Sequence, residues 1–139
     1  MMNSAPLVII GSGLAGFLTV EAIRAQKSDR SIIMITEDSG DFYRKPMLSF
    51  ALDQGKMPDD LVLNSRAEMM QRLSIDIIAH QSVRSIDRSK RLLHLSGADP
   101  IEYGQLILAL GSHVSEPEWF PVNSKRCMQV NHLTDYRAF

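Results

Sequence analysis

The sequence predicts an α/β fold built on a parallel β-sheet with a crossover helix and a small antiparallel hairpin. Residues 7–10 and 31–36 are short apolar runs typical of buried strands, and residues 14–26 between them carry apolar side chains at helical spacing. A strand, a helix and a strand in this order imply a right-handed crossover and parallel pairing. A glycine-rich turn at residues 11–16 joins the first strand to the helix.

Composition limits the classes of function. The 139 residues suffice for one small domain, and 15 Lys and Arg against 16 Asp and Glu give a net charge of −1. A nearly neutral chain without a basic run argues against nucleic-acid binding. The longest apolar runs, residues 7–10 and 106–110, are too short to span a bilayer, so we expect no membrane association. A single cysteine, Cys127, excludes an internal disulfide framework, and we expect a cytoplasmic protein.

The helix predicted for residues 14–26 has apolar side chains on one face. The spacing assigns Leu14, Phe17 and Leu18 to this face, which we expect to pack on the sheet. A polar stretch, residues 27–29, ends the helix.

Residues 37–74 interrupt the alternation of strands and helices with polar loops. Two short helices are predicted in this excursion, around residues 47–52 and 65–73. Ser65 followed by Glu68 three positions later has the pattern of a capping box for the second helix.

The second half of the chain returns to strands. We expect a buried parallel strand at residues 75–79, a hairpin formed by residues 83–87 and 91–95, and a last parallel strand at residues 105–110. From Ser112 onward, prolines predict a linker.

The last residues resemble the start of another helix. Asn131 is predicted to cap it, with Leu133, Tyr136 and Phe139 at helical spacing. Because this pattern is still running at residue 139, we expect the chain to be a fragment of a longer protein and the fold to be incomplete.

The glycine-rich turn has the pattern G-x-G-x-x-G in a strand–turn–helix context, which is typical of dinucleotide binding. Gly11 allows a tight turn, Gly13 lets the backbone approach a pyrophosphate, and Gly16 lets the helix pack closely on the strand. The diphosphate would lie at the helix N-terminus, where free N–H groups and the helix dipole favour an anion. The alternative is a turn that needs its glycines only for packing. The candidate binding residues of the turn are Gly11, Ser12, Gly13, Leu14, Ala15 and Gly16.

Two carboxylates follow the second strand, about 20 residues beyond the glycine turn, where a carboxylate can bond ribose hydroxyls. We favour Glu37 over Asp38 because Glu37 comes directly at the predicted strand end. A solvated pair of surface charges is the alternative.

Three segments carry a resemblance to a known family: residues 8–16 (VIIGSGLAG), 43–49 (YRKPMLS) and 108–111 (LALG). The chain resembles the N-terminal FAD-binding part of the FAD-dependent pyridine nucleotide-disulfide oxidoreductases, and within them the rubredoxin–NAD reductases. The resemblance extends over nearly the whole chain and implies a Rossmann-like fold that binds FAD. It further implies that the complete enzyme takes electrons from NADH and passes them to rubredoxin or a similar small iron–sulfur protein.

The resemblance also assigns roles to residues in the excursion and the hairpin. Lys45 would lie beside the flavin ring, where an ammonium stabilises negative charge on a reduced flavin. Pro46 would fix the backbone there and open the short helix as its first residue. The backbone of Val83 would contact the adenine. Without the resemblance, two alternatives stay open: Arg44 and Lys45 are an exposed pair in a loop, and Val83 is a core residue.

The end of the last strand, Ala109, Leu110 and Gly111, would contact FAD through its backbone. The family usually has threonine in the middle of this motif, and the rubredoxin reductases tolerate an apolar residue such as Leu110. The chain lacks the redox cysteine pair of the disulfide reductases, so we expect an external electron acceptor and a passive thiol at Cys127. Scattered histidines without metal-ligand spacing predict no metal site: His80, His94, His113 and His132.

By this resemblance, residues 1–115 form the N-terminal part of a split FAD domain, and residues 116–139 form a linker and the start of a helix that leads to an absent NADH-binding domain. We expect the fragment alone to be inactive, to bind FAD weakly and to self-associate through uncovered apolar surface or the free tail at residues 112–139. Two alternatives remain open: a simple NAD-binding dehydrogenase domain, and a non-catalytic module that keeps the fold.

Overall fold

A computed structural model describes residues 5–115 and 128–139 of the protein. The predicted linker at residues 116–127, with Cys127, lies outside the described residues. In chain order the elements are β1 (Leu7–Ile10), α1 (Leu14–Ala25), β2 (Ile32–Ile35), β3 (Phe42–Tyr43), α2 (Leu48–Ala51), β4 (Val62–Asn64), α3 (Arg66–Leu73), β5 (Asp76–Ile78), β6 (Val83–Asp87), β7 (Leu92–Leu95), β8 (Ile101–Glu102), β9 (Gln105–Leu108) and α4 (Leu133–Ala138). Two 3₁₀ turns, Lys45–Met47 and Pro58–Leu61, lie on either side of α2.

The main sheet is parallel, with strand order β5-β2-β1-β9. This confirms the four predicted parallel strands, although each is shorter than or equal to its predicted range. β9 ends at Leu108 rather than at residue 110, because its neighbour β1 turns away at Gly11. The N–H of Ala109 still donates to the carbonyl of Ile10 at 2.8 Å, and there the pairing stops.

The side chains of the central strand β1 alternate between two apolar cores, as expected for a parallel sheet covered on both faces. Leu7 and Ile9 pack with α1 and α3 on one face. Val8 and Ile10 pack against the second sheet on the other face. All four residues are buried, which explains why the strand is a continuous apolar run.

The second sheet is antiparallel, with order β6-β7-β8. The predicted hairpin is confirmed as β6 and β7, but β8 was not predicted because two residues are too few to show a pattern. A strand pair formed by β3 and β4 was missed for the same reason. Phe42 of β3 packs edge-on against Phe17 of α1, with ring centroids 5.3 Å apart.

The predicted buried face of α1 is partly wrong. Phe17 is buried, but Leu14 and Leu18 are each 51% exposed, and Gly16 and Val20 are buried instead. The cause is the tight contact of Gly16 with the backbone of Gly11, which turns the Gly16 side of the helix toward the sheet. Apolar spacing alone does not detect a contact made by a glycine.

The capping box predicted for α3 is confirmed: the N–H of Glu68 donates to Ser65 Oγ, and the N–H of Ser65 donates to the Glu68 carboxylate at 2.7 Å. The cap predicted for α4 is wrong by one position. His132 is the N-cap residue, and the Asp135 carboxylate accepts the N–H groups of both Asn131 and His132.

α4 packs back onto the excursion and forms a third, small core. Leu133 and Tyr136 of α4 contact the buried side chains of Leu48, Ala51 and Leu61. Of the helices in the described ranges, none is both long and apolar enough to cross a membrane.

Candidate functional site

The candidate site lies at the carboxyl ends of β1, β2 and β9. From β1 the chain proceeds to β2 on one side, and it returns through β9 on the other side of β1. Open parallel sheets bind ligands in the crevice outside the carboxyl ends at such a reversal of strand order. The glycine turn, the two candidate carboxylates and residues 109–111 all follow these strand ends.

Two glycines of the turn are required by the fold itself. Gly11 has a φ of +111°, and a Cβ built on it would overlap the carbonyl oxygen of Ala109. A Cβ on Gly16 would overlap the carbonyl oxygen of Gly11. These close approaches bring β1, β9 and α1 together at one point.

Gly13 differs from both. A Cβ on Gly13 would meet no atom within 4 Å, and its φ of −76° is open to any residue. Gly13 is the N-cap residue of α1, which receives no side-chain cap and has no acidic residue in its first turn. Leu14 and Ala15 are exposed beside it. The helix N-terminus therefore faces open space with its N–H groups available to an anion.

Ser12 is held by the end of β2. Its hydroxyl donates to Thr36 Oγ1 at 2.8 Å, and the same oxygen accepts the N–H of Asp38 at 3.2 Å. Thr36 is 6% exposed, so this contact fixes the turn to the strand end. Thr36 was not among the predicted site residues, because a threonine closing an apolar strand was its only signal.

The two candidate carboxylates have different surroundings. Glu37 is exposed, and one of its oxygens accepts the hydroxyl of Ser82 at 2.7 Å. Asp38 is half-buried, and its oxygens accept the N–H of Ser39 at 2.8 Å and the hydroxyl of Tyr43 at 2.9 Å. Glu37 is therefore available to a ligand, whereas Asp38 is occupied by contacts within the protein.

Tyr43 joins three elements through its hydroxyl. It donates to Asp38 and accepts the N–H of Leu133, at the start of α4, at 3.2 Å. Burial, together with the nearby Asp38 carboxylate, raises the pKa of Tyr43 well above its usual range. The phenol stays protonated and serves as a fixed donor.

Lys45 lies beside the end of β9. Its ammonium donates to the carbonyl of Ser112 at 3.2 Å, and the amide of Asn131 donates to the same oxygen at 3.3 Å. Lys45 begins the 3₁₀ turn and Pro46 is its second residue, so the prediction that Pro46 opens the helix is wrong. Pro46 is accommodated there because its missing N–H would have no partner within the turn.

The remaining candidates lie at strand ends. Val83 opens β6, is half-buried and packs at the edge of the second core. Ala109 is half-buried, Leu110 is 62% exposed, and Gly111 has a φ of +70° with open space around it. Among the described residues, no three His, Cys, Asp or Glu side chains are grouped to hold a metal ion.

This fold and this crevice define the class: a Rossmann-like protein of the kind that binds FAD or NAD. The chain belongs to the pyridine nucleotide-disulphide oxidoreductase family, whose sequence pattern matches residues 5–139. The proteins of this family related to the chain are FAD-dependent oxidoreductases that use a pyridine nucleotide.

Curated relatives include a rubredoxin-NAD(+) reductase of Alcanivorax borkumensis, 36% identical over 134 residues, or 96% of this chain and 35% of the relative. A nitric oxide reductase FlRd-NAD(+) reductase of Aliivibrio fischeri is 32% identical over 98% of this chain and 35% of the relative. The chain thus spans about a third of the length of the curated relatives it matches.

Among solved structures, a ferredoxin reductase from Rhodopseudomonas palustris superposes with a TM-score of 0.84 at 28% identity, over 98% of this chain and 33% of that one. The NADH:rubredoxin oxidoreductase of Clostridium acetobutylicum superposes with a TM-score of 0.77 at 24% identity, over 96% of this chain and 34% of that one, and supports the fold.

Proposed function

We propose that this chain is the FAD-binding part of a flavoprotein reductase. The order of the candidate residues across the sheet supports this function. Glu37 follows β2, Gly13 follows β1, and Lys45 contacts Ser112, which follows β9, with the strands in the order β2-β1-β9. The three residues therefore lie in the order in which FAD presents its adenosine ribose, diphosphate and flavin.

Each part of FAD would meet a suitable group. Glu37 would accept the ribose hydroxyls, and the uncapped N-terminus of α1 would hold the diphosphate at Gly13. Ser82 donates to Glu37, and the adjoining Val83 would lie next to the adenosine end. Lys45 would place a positive charge by the flavin, and residues 109–111 would supply backbone contacts. Bound FAD would supply the conversion between two-electron and one-electron transfer.

We further propose that the complete enzyme takes a hydride from NADH and passes single electrons to rubredoxin or a similar iron–sulfur carrier. Support comes from the relatives, which are rubredoxin-NAD(+) and FlRd-NAD(+) reductases. Residues 116–139 would then lead to the NADH-binding domain, and we expect a cytoplasmic location. This chain has no second glycine motif for NADH, so we expect no NADH oxidation by the chain alone.

The deciding experiment is a titration of the purified chain with FAD and, separately, with NADH. We expect flavin binding, seen as quenched flavin fluorescence and a shifted visible spectrum, and no comparable binding of NADH. Binding of NADH in preference to FAD would favour a simple NAD-binding dehydrogenase domain. Binding of neither would favour a non-catalytic module.

A further inference from the structure

The carbonyl oxygen of Ser112 accepts two side chains from distant parts of the chain. The Lys45 ammonium donates to it at 3.2 Å, and the Asn131 amide donates to it at 3.3 Å. A carbonyl oxygen has two lone pairs and can accept both donors at once. Asn131 therefore helps to fix the acceptor that holds Lys45.

Asn131 is in turn fixed by β3, the strand just before Lys45. Two residues after Asn131, the N–H of Leu133 donates to the hydroxyl of Tyr43, which lies two residues before Lys45. Together with the shared carbonyl of Ser112, these contacts close a hydrogen-bonded ring. In a closed ring each hydrogen bond limits the movement of the other bonded groups. Breaking one of the bonds leaves the two segments that it joined free to move apart.

Further contacts hold the ring on two sides, at α4 and at the end of β2. Leu133 is fully buried in the third core, and the Asp135 carboxylate accepts the N–H of Asn131 at 2.9 Å. On the other side, the hydroxyl of Tyr43 donates to Asp38 at the end of β2. The ring therefore connects the end of β2, the excursion, the end of β9 and α4.

We propose that Asn131 is a positioning residue, which holds Lys45 at the flavin side of the crevice by fixing the Ser112 carbonyl. This inference rests on the proposed function of Lys45 as a flavin contact. It assigns residues 128–139 a role in the site itself, in addition to any role as a connection to another domain.

The first test needs no flavin. Acetylation of Lys45 by an amine-reactive acetyl ester at fixed pH is measured by mass spectrometry in the chain and in Asn131→Ala. Loss of one hydrogen bond from the ring should raise the labelling rate about fivefold. One ordinary hydrogen bond of about 1 kcal/mol changes the population of the state with a released Lys45 amine by about this factor. If alanine unfolds the chain, Asn131→Leu preserves the volume without the donor and should give the same increase.

Tyr136→Phe is the matched control. The Tyr136 hydroxyl donates to the carbonyl of Lys56 at 2.7 Å and so ties α4 to the excursion outside the ring. We expect unchanged labelling of Lys45 in this variant. An equal increase in both variants would mean that any loosening of α4 exposes Lys45, and the assignment of Asn131 would be overturned. Unchanged labelling in Asn131→Ala would overturn it as well.

The second test uses the FAD-loaded chain. Asn131→Ala should lower the flavin midpoint potential in the same direction as Lys45→Met, and the double variant should show no further decrease. Additive effects would show that Asn131 acts independently of Lys45. If the chain binds no FAD, the proposed function fails, while the labelling test still decides whether the ring holds Lys45.

Discussion

Gly11 and Ala109 meet where β1 and β9 end, so closely that a Cβ on Gly11 would overlap the carbonyl oxygen of Ala109. This contact joins the first and last strands of the parallel sheet at the base of the crevice. The glycines of the turn fall into two groups according to what an added Cβ would meet. Gly11 and Gly16 are required for backbone packing, whereas Gly13 faces open space.

Gly13→Val should leave the fold intact and abolish FAD binding. Its Cβ would enter space that is empty in the protein but needed by a diphosphate. Circular dichroism and a flavin titration measure the two effects separately. Gly11→Val is the contrasting variant and should lower the free energy of unfolding by about 3 kcal/mol, because positive φ and a backbone overlap both oppose it. Unchanged FAD binding in Gly13→Val would refute the assigned role.

Lys45→Met should lower the reduction potential of bound FAD. Methionine keeps much of the apolar stem and removes the charge that stabilises the reduced flavin. A lost charged contact of about 1.5–3 kcal/mol corresponds to about 30–65 mV for a two-electron couple. Lys56→Met makes the same charge change in the same excursion and serves as the control. A midpoint potential equal to that of the unsubstituted chain would show that the Lys45 charge does not stabilise the reduced flavin.

Glu37→Gln and Asp38→Ala should affect different properties. Glu37 is exposed at the strand end, so losing its charge should weaken FAD binding about tenfold with little change in stability. Asp38 accepts Tyr43 and Ser39, so its loss should lower the free energy of unfolding by about 1–3 kcal/mol. Flavin titration and thermal unfolding of both variants provide the comparison. Equal loss of affinity in the two variants, with unchanged stability, would contradict this division.

Glu68→Gln should make stability less dependent on pH in the acidic range. Hydrogen bonds from the N–H and the hydroxyl of Ser65 lower the pKa of Glu68 below its ordinary value of 4.5. A carboxyl with a lowered pKa in the folded state stabilises the fold above 4.5, and this contribution disappears as the pH falls through the lowered pKa. The unsubstituted chain should therefore exceed Glu68→Gln in thermal stability at pH 7 and approach it as the pH falls through the lowered pKa. A difference that stays constant with pH would point to packing instead of charge.

The chain alone should self-associate through β9. Within the described residues β9 pairs only with β1, and Leu108 and Leu110 at its end are 57% and 62% exposed. An apolar edge strand without a charged residue readily pairs with another chain. Leu108→Lys should lower the association constant in sedimentation measurements, while Leu52→Lys, which changes a similarly exposed leucine outside the sheet, should not. A monomer at all concentrations would rule out this surface.

Two of the candidate site residues that follow strand ends could be predicted from the sequence. Gly11 and Glu37 each follow a predicted strand, and the carboxyl ends of parallel strands share one edge of the sheet. The end of β9 before Ala109 was not predicted, because the apolar run continues past it to Leu110. The preference for Glu37 was predicted from its place at the strand end, but the different contacts of Glu37 and Asp38 within the protein could not be. Those contacts depend on Tyr43 and Ser82, which approach from other elements.

By itself, the sequence determined where the four parallel strands lie along the chain, the hairpin, and the capping box at Ser65. These features follow from periodicity and short-range hydrogen bonds. Only the tertiary structure decided the orientation of α1, because the contact of Gly16 with the Gly11 backbone leaves no trace in apolar spacing. It also decided the position of Lys45, whose acceptor Ser112 is 67 residues away in the chain. Contacts of this kind depend on how separate segments pack, and no local pattern contains that information.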